Sequence, residues 1–97
     1  AGSGPAYGFY LIEAMAEAGH ELGLEKSDAL EMAVSTLSGA LKLLDESGAE
    51  PQALRRKVTS PGGTTEAALS VMKKHQVKSR IIEAVTAAAK RAAELSE

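Results

Sequence analysis

The chain has 97 residues, a formal net charge of −2, two histidines and no cysteine, a length of one domain with no route to disulfides, thiol catalysis or cysteine-ligated zinc. Acids and bases are interspersed and aromatics make up 3%, so there is neither the basic stripe nor the stacking platform that nucleic acid needs. No apolar run approaches the roughly 18–20 residues of a membrane span and no signal peptide opens the chain, so a soluble, cytoplasmic protein is expected.

The hydrophobic fraction is 44%, but much of it is alanine, with one Phe, two Tyr and no Trp. A chain of this size buries only about 60–65% of the surface its unfolded form exposes. Few side chains are large enough to fill a core. Small residues let helices approach closely and suit a core completed by a second chain, so a homodimer is expected.

In chain order, Pro5 to Leu22 has helical period, with Tyr7, Leu11, Ala14, Met15, Ala18 and Leu22 on one face. Pro5 sits where proline is welcome, in the first turn, and Gly23 is a natural stop. Gly19, inside the helix, costs about 1 kcal/mol relative to alanine and is expected to allow a close helix crossing. A second helix is predicted from Ser27 or Asp28 to Gly48. Ala29, Ala33, Thr36, Leu37, Ala40 and Leu44 form its seam, with Leu30, Val34, Leu41 and Leu43 beside it. Apolar residues cover so much of its circumference that burial on more than one side is expected.

Pro51 opens a short third helix carrying Leu54 and Val58. The fourth is predicted over about Thr65 to Lys74. The fifth runs from about Lys78 to Leu95, with Ile81, Val85, Ala88, Ala92 and Leu95 as its stripe and Arg80, Lys90, Arg91 and Glu94 as its solvated side. No segment alternates as a strand would and no repeat is evident. The fold class is all-α: five helices, two long ones plus a long C-terminal one, in a single domain.

Between the third and fourth helices lies Ser60-Pro61-Gly62-Gly63-Thr64-Thr65. Two glycines after a proline bend tightly and leave backbone N–H groups unshielded by Cβ atoms. Feeding a helix N-terminus, such a turn is a natural cradle for a small carboxylate or phosphate. The same residues also read as an ordinary loop in which Thr64 or Thr65 is the N-cap.

Gly2-Ser3-Gly4 contains Gly-x-Gly, but a dinucleotide fingerprint needs a preceding strand and a βαβ unit. His20 and His75 have no partner at triad or metal spacing and read as solvated or packed side chains, so no metal site is expected.

Two stretches together resemble one family, pyrroline-5-carboxylate reductase. One is Gly2-Ser3-Gly4-Pro5-Ala6-Tyr7, opening a long helix. The other is Val58-Thr59-Ser60-Pro61-Gly62-Gly63-Thr64-Thr65, about fifty residues later and again opening a helix. Glu13-Ala14, Ala18-Gly19, Gly23-Leu24, Gly39-Ala40 and Leu54-Arg55 also fit, while Arg56-Lys57 stands where an Arg-Asp pair is common in relatives.

The resemblance implies hydride transfer from NADH or NADPH to the C=N carbon of 1-pyrroline-5-carboxylate, giving proline. It also implies that the chain is the C-terminal helical half, which dimerises by intertwining, alone or as the unit of a larger oligomer. The N-terminal Rossmann domain is then absent from it, so this part alone binds no cofactor and is inactive unaided. In relatives the turn matching Ser60 to Thr65 holds the substrate carboxylate. Here that implies N–H groups near Gly63 and Thr64, within a site of Ser60, Gly62, Gly63, Thr64 and Thr65. The Thr65 hydroxyl is then the catalytic group, bonding the imine nitrogen, while Ser3, Gly4 and Pro5 lie near the nicotinamide. The competing reading is a standalone helical self-association module without catalysis.

Overall fold

The computed structural model describes residues 2–96, which form α1 (Gly4–Glu21), α2 (Lys26–Ser47), α3 (Pro51–Lys57), α4 (Thr64–Lys74) and α5 (Val77–Leu95). There is no strand among the described residues, as the all-α reading expects. The helices group into two compact units, Ala1–Glu50 and Pro51–Glu97. α1 packs on α2 within the first unit, and α4 on α5 within the second.

In the first unit, α1 begins at Gly4 with Pro5 in its first turn, where a missing N–H costs nothing. Its far end is a Schellman motif. The Leu24 N–H donates to the Gly19 carbonyl at 3.1 Å and the Gly23 N–H to that of His20 at 3.0 Å. Gly23 takes φ 112, open to glycine and strained for other residues. The chain then enters α2 through Glu25, extended at φ −64 and ψ 149.

The predicted start at Ser27 or Asp28 is corrected to Lys26, because the Ala29 N–H already bonds the Glu25 carbonyl at 2.9 Å. Asp28 serves instead as an acidic residue of the first turn, where the macrodipole favours it. Gly48, in the left-handed region at φ 66, ends α2 as predicted.

The half-buried face of α1 shares only Met15 with the predicted stripe. Ile12, Met15, Ala16 and Gly19 are half-buried, at i, i+3, i+4 and i+7, whereas Tyr7, Leu11, Ala14, Ala18 and Leu22 are exposed. Small residues decide the difference, because they let the two helices meet along Gly19 and Ala29. On α2 the seam is confirmed at Ala29, Ala33, Leu37 and Leu44, but Thr36 and Ala40 are exposed.

Only Ala29 and Ala33, at 3% and 4% exposure, are fully buried among the described residues. Burial of α2 on more than one side is therefore not achieved within the first unit: Leu30, Val34, Leu41 and Leu43 remain exposed. The reason is the shortage of partners, since α1 alone packs against it in this unit.

In the second unit, α4 and α5 each start one residue earlier than predicted, at Thr64 and Val77. The turn between them is made by Gln76 at φ 54 and ψ 40, a non-glycine residue in the left-handed region. Its side-chain oxygen accepts from the Arg80 guanidinium at 3.3 Å, and Arg80 in turn pairs with Glu83 at 3.0 Å. Of the predicted α5 stripe only Ala88 is half-buried; Ile81, Val85, Ala92 and Leu95 are exposed.

Candidate functional site

The two stretches marked by the sequence lie in different units. In the first, Ser3 is the N-cap of α1 and its carbonyl accepts the Ala6 N–H at 3.1 Å. Its side chain makes no cap bond; the Ser3 hydroxyl instead meets the Tyr7 phenol, one turn on, at 2.7 Å. Gly4 is half-buried and Pro5 exposed. A Cβ on Gly2 or Gly4 would meet nothing within 4 Å, so neither glycine marks a close approach among the described residues of its unit.

The second stretch is built by the end of α3 and the start of α4. As α3 finishes, the Thr59 hydroxyl donates to the Arg55 carbonyl at 2.6 Å and the Thr59 N–H to that of Arg56 at 3.2 Å. Arg55, Arg56 and Lys57 place three cations in the last turn of α3, where the macrodipole favours them.

The chain then turns at Gly62, φ 73, a conformation glycine adopts without penalty. The Gly63 N–H folds back to the Ser60 carbonyl at 3.0 Å, closing the turn. A Cβ on Gly63 would stand 3.2 Å from that carbonyl oxygen, tighter than an ordinary contact.

Gly63 is the N-cap of α4, extended at φ −87 and ψ 180. The expectation that Thr64 or Thr65 caps the helix is therefore corrected: both lie inside it, as its first two residues. The turn closes one residue early, which puts the cap on the glycine. No side chain caps this end, and neither threonine hydroxyl has a hydrogen-bond partner among the described residues. Thr64 is exposed and Thr65 half-buried.

The first bond back along the chain is from the Ala67 N–H to the Gly63 carbonyl at 3.2 Å. The N–H groups of Thr64, Thr65 and Glu66 are the unpaired donors that every helix start leaves. The donor set thus begins one residue later than expected, because the Gly63 N–H is used within the turn.

Sequence reasoning missed one participant. The Glu66 carboxylate reaches back and accepts the Gly62 N–H at 3.0 Å. The signal was available: an acidic residue three positions after the N-cap is the capping-box arrangement, here directed one residue further back than usual. The Ser3–Tyr7 pair was likewise foreshadowed by two hydroxyls four apart on a helix.

Among the described residues the arrangement offers three unpaired backbone N–H groups, those of Thr64, Thr65 and Glu66, and two unpartnered hydroxyls at the positive end of a helix, suited to an anionic oxygen ligand. Among the described residues there is no group of three or more His, Asp or Glu placed to hold a metal ion. Among the described residues no helix is long and apolar enough to cross a membrane.

Comparison with known proteins places these features in a family. The model of the pyrroline-5-carboxylate reductase dimerisation family matches residues 1–95. The chain is 44% identical over 97 residues to pyrroline-5-carboxylate reductase 2 of Bacillus subtilis, covering 100% of this chain and 35% of that protein. Among solved structures, a pyrroline-5-carboxylate reductase from Coxiella burnetii matches with a TM-score of 0.92 and 44% identity, over 98% of this chain and 35% of that one. The Plasmodium falciparum pyrroline carboxylate reductase, solved with NADP bound, matches with a TM-score of 0.90 and 31% identity, over 93% and 34% of the respective chains. The chain spans about a third of the length of the relatives it matches. It belongs to the pyrroline-5-carboxylate reductase dimerisation family.

Proposed function

We propose that this chain is the C-terminal dimerisation and substrate-binding domain of a cytoplasmic pyrroline-5-carboxylate reductase. The enzyme would reduce 1-pyrroline-5-carboxylate to L-proline with NADH or NADPH. The observation that carries the reading is the loop at Ser60–Thr65, which opens α4 with unpaired Thr64 and Thr65 N–H groups in a chain matched throughout by that family.

The substrate carboxylate is assigned to those two N–H groups, with Ser60, Gly62 and Gly63 shaping the turn that aims them. Each charge-assisted hydrogen bond of this type contributes about 1.5–3 kcal/mol. The Thr65 hydroxyl, half-buried and unpartnered, is assigned to the ring nitrogen of the imine. The role of these residues is positioning, which alone lowers the barrier of a two-reactant step substantially.

The described residues do not fit the nicotinamide cofactor by themselves. They include no strand, and hence no strand–turn–helix crevice for its pyrophosphate. A dinucleotide-binding domain is therefore assigned to a part of the enzyme other than these helices, with Ser3, Gly4 and Pro5 at the junction with it.

The family's dimerisation role and the exposed apolar residues of α2 and α5 support self-association, here proposed as a homodimer. The reading as a self-association module without catalysis is not favoured, because the relatives described above are reductases.

The test on the chain itself is amide chemical-shift mapping. Proline should shift the Thr64 and Thr65 resonances more than acetate does. Equal, diffuse effects from both ligands would remove the case for a preformed carboxylate site. On the complete enzyme, the test is reduction of 1-pyrroline-5-carboxylate with consumption of NADH or NADPH.

A further inference from the structure

We propose that Glu66 is the positioning residue of the carboxylate loop: its side chain holds the Gly62 N–H and so keeps the Thr64 and Thr65 donors aimed at the ligand. The inference rests on the proposed substrate site. Three observations carry it. The Glu66 carboxylate accepts the Gly62 N–H at 3.0 Å, and this is the one side-chain bond made to the Pro61–Thr65 backbone among the described residues. Gly62 sits in the left-handed region at φ 73, a conformation that the glycine itself leaves readily. The Gly63 N–H is bonded to the Ser60 carbonyl at 3.0 Å, so the two glycine donors are both engaged and the turn is closed at two points.

The tether has a cost built into it. Glu66 carries a negative charge in the first turn of α4, the same turn whose free N–H groups are assigned to the substrate carboxylate. The charge favours the helix, through its macrodipole, and disfavours a second anion nearby. Tether and charge therefore act in opposite directions on substrate affinity. A substitution that removes both differs in sign from one that removes the charge alone.

Glu66→Ala removes the bond to Gly62, and Glu66→Gln keeps an accepting side-chain oxygen without the charge. In the complete reductase, Glu66→Ala is expected to raise KM for 1-pyrroline-5-carboxylate about tenfold, the scale of one lost hydrogen bond to a charged group. Glu66→Gln is expected to bring KM back to the wild-type value or below it. Both variants moving KM in the same direction, or Glu66→Ala leaving it within about twofold, would overturn the proposal.

Amide hydrogen exchange on the 97-residue chain reads the tether independently of catalysis. The Gly62 amide should be protected in the wild type and in Glu66→Gln, and unprotected in Glu66→Ala; equal exchange in all three would also overturn it. A wild-type enzyme that does not reduce 1-pyrroline-5-carboxylate would instead count against the proposed function, with the exchange result still deciding whether the tether exists.

Discussion

Gly19 on α1 lies so close to Ala29 on α2 that a Cβ built on Gly19 would stand 3.1 Å from the Ala29 Cβ and 3.6 Å from its Cα. Ala29 is also one of two fully buried residues among those described, so the contact sits at the centre of the first unit. Ala29→Leu is expected to destabilise the chain by about 1–3 kcal/mol, because the added methylenes have backbone on the facing side. Denaturant unfolding checks this, and a loss under about 0.5 kcal/mol would mean that α1 and α2 slide apart without penalty.

Gly62 and Gly63 are not equivalent, although the sequence presents them as a pair. Gly62 needs its freedom because φ is 73; Gly63 needs its bareness because a Cβ would crowd the Ser60 carbonyl at 3.2 Å. Gly62→Ala is expected to cost about 1–2 kcal/mol of stability through backbone strain alone. Gly63→Ala should act on the turn, breaking the Gly63 N–H bond to Ser60 and raising KM for the imino acid more than it lowers the melting temperature. Identical profiles for the two variants would contradict this division.

The Thr65 hydroxyl has no partner among the described residues, so truncating it breaks no hydrogen bond that holds the fold. Thr65→Ala is expected to change unfolding free energy by no more than about 0.5 kcal/mol. If the hydroxyl bonds the imine nitrogen, turnover of the complete reductase should fall about ten- to hundredfold. An unchanged rate dismisses that role for the hydroxyl.

Gln76 holds the left-handed conformation at φ 54 and ψ 40 with only a 3.3 Å side-chain bond to Arg80, exposed to solvent, in compensation. Gln76→Gly is expected to stabilise the chain by about 0.5–1 kcal/mol, the relief of strain less the added freedom of the unfolded glycine. A lowered melting temperature would show that the Gln76–Arg80–Glu83 chain of contacts outweighs the strain.

Much of this was legible in the sequence because local rules and packing agree. Pro5, Gly23, Gly48 and Pro51 mark helix ends where proline or glycine geometry leaves little choice, and all four hold. The face of α1 was read in part: Met15 lies on it, but Leu11, Ala14, Ala18 and Leu22 do not, because the covered face turns toward Ala16 and Gly19, whose small size lets α2 approach. The loop was found from Pro61-Gly62-Gly63, but its donors were placed one residue early. The bond that closes the turn joins Gly63 to Ser60, and spacing alone does not reveal which N–H is spent on it. Left-handed Gln76 carried no signal, since nothing in the residue type favours φ 54.

The apolar residues that stay exposed argue for the state in solution. Phe9 is 69% exposed and Leu22 87%, and on α5 Ile81, Val85 and Leu95 stand along one stripe without cover. Fully covering a side chain of this kind contributes about 1.5–3 kcal/mol, so a partner that covers several supplies stability that two buried alanines do not. Light scattering of the 97-residue chain should give twice 10.0 kDa across a wide concentration range. Ile81→Lys together with Val85→Lys should lower that mass or unfold the chain, since a charge within a covered apolar face is costly. A stable monomer at all concentrations, with the double variant equally stable, would mean that the α5 stripe needs no partner and that the homodimer proposed for this domain does not form.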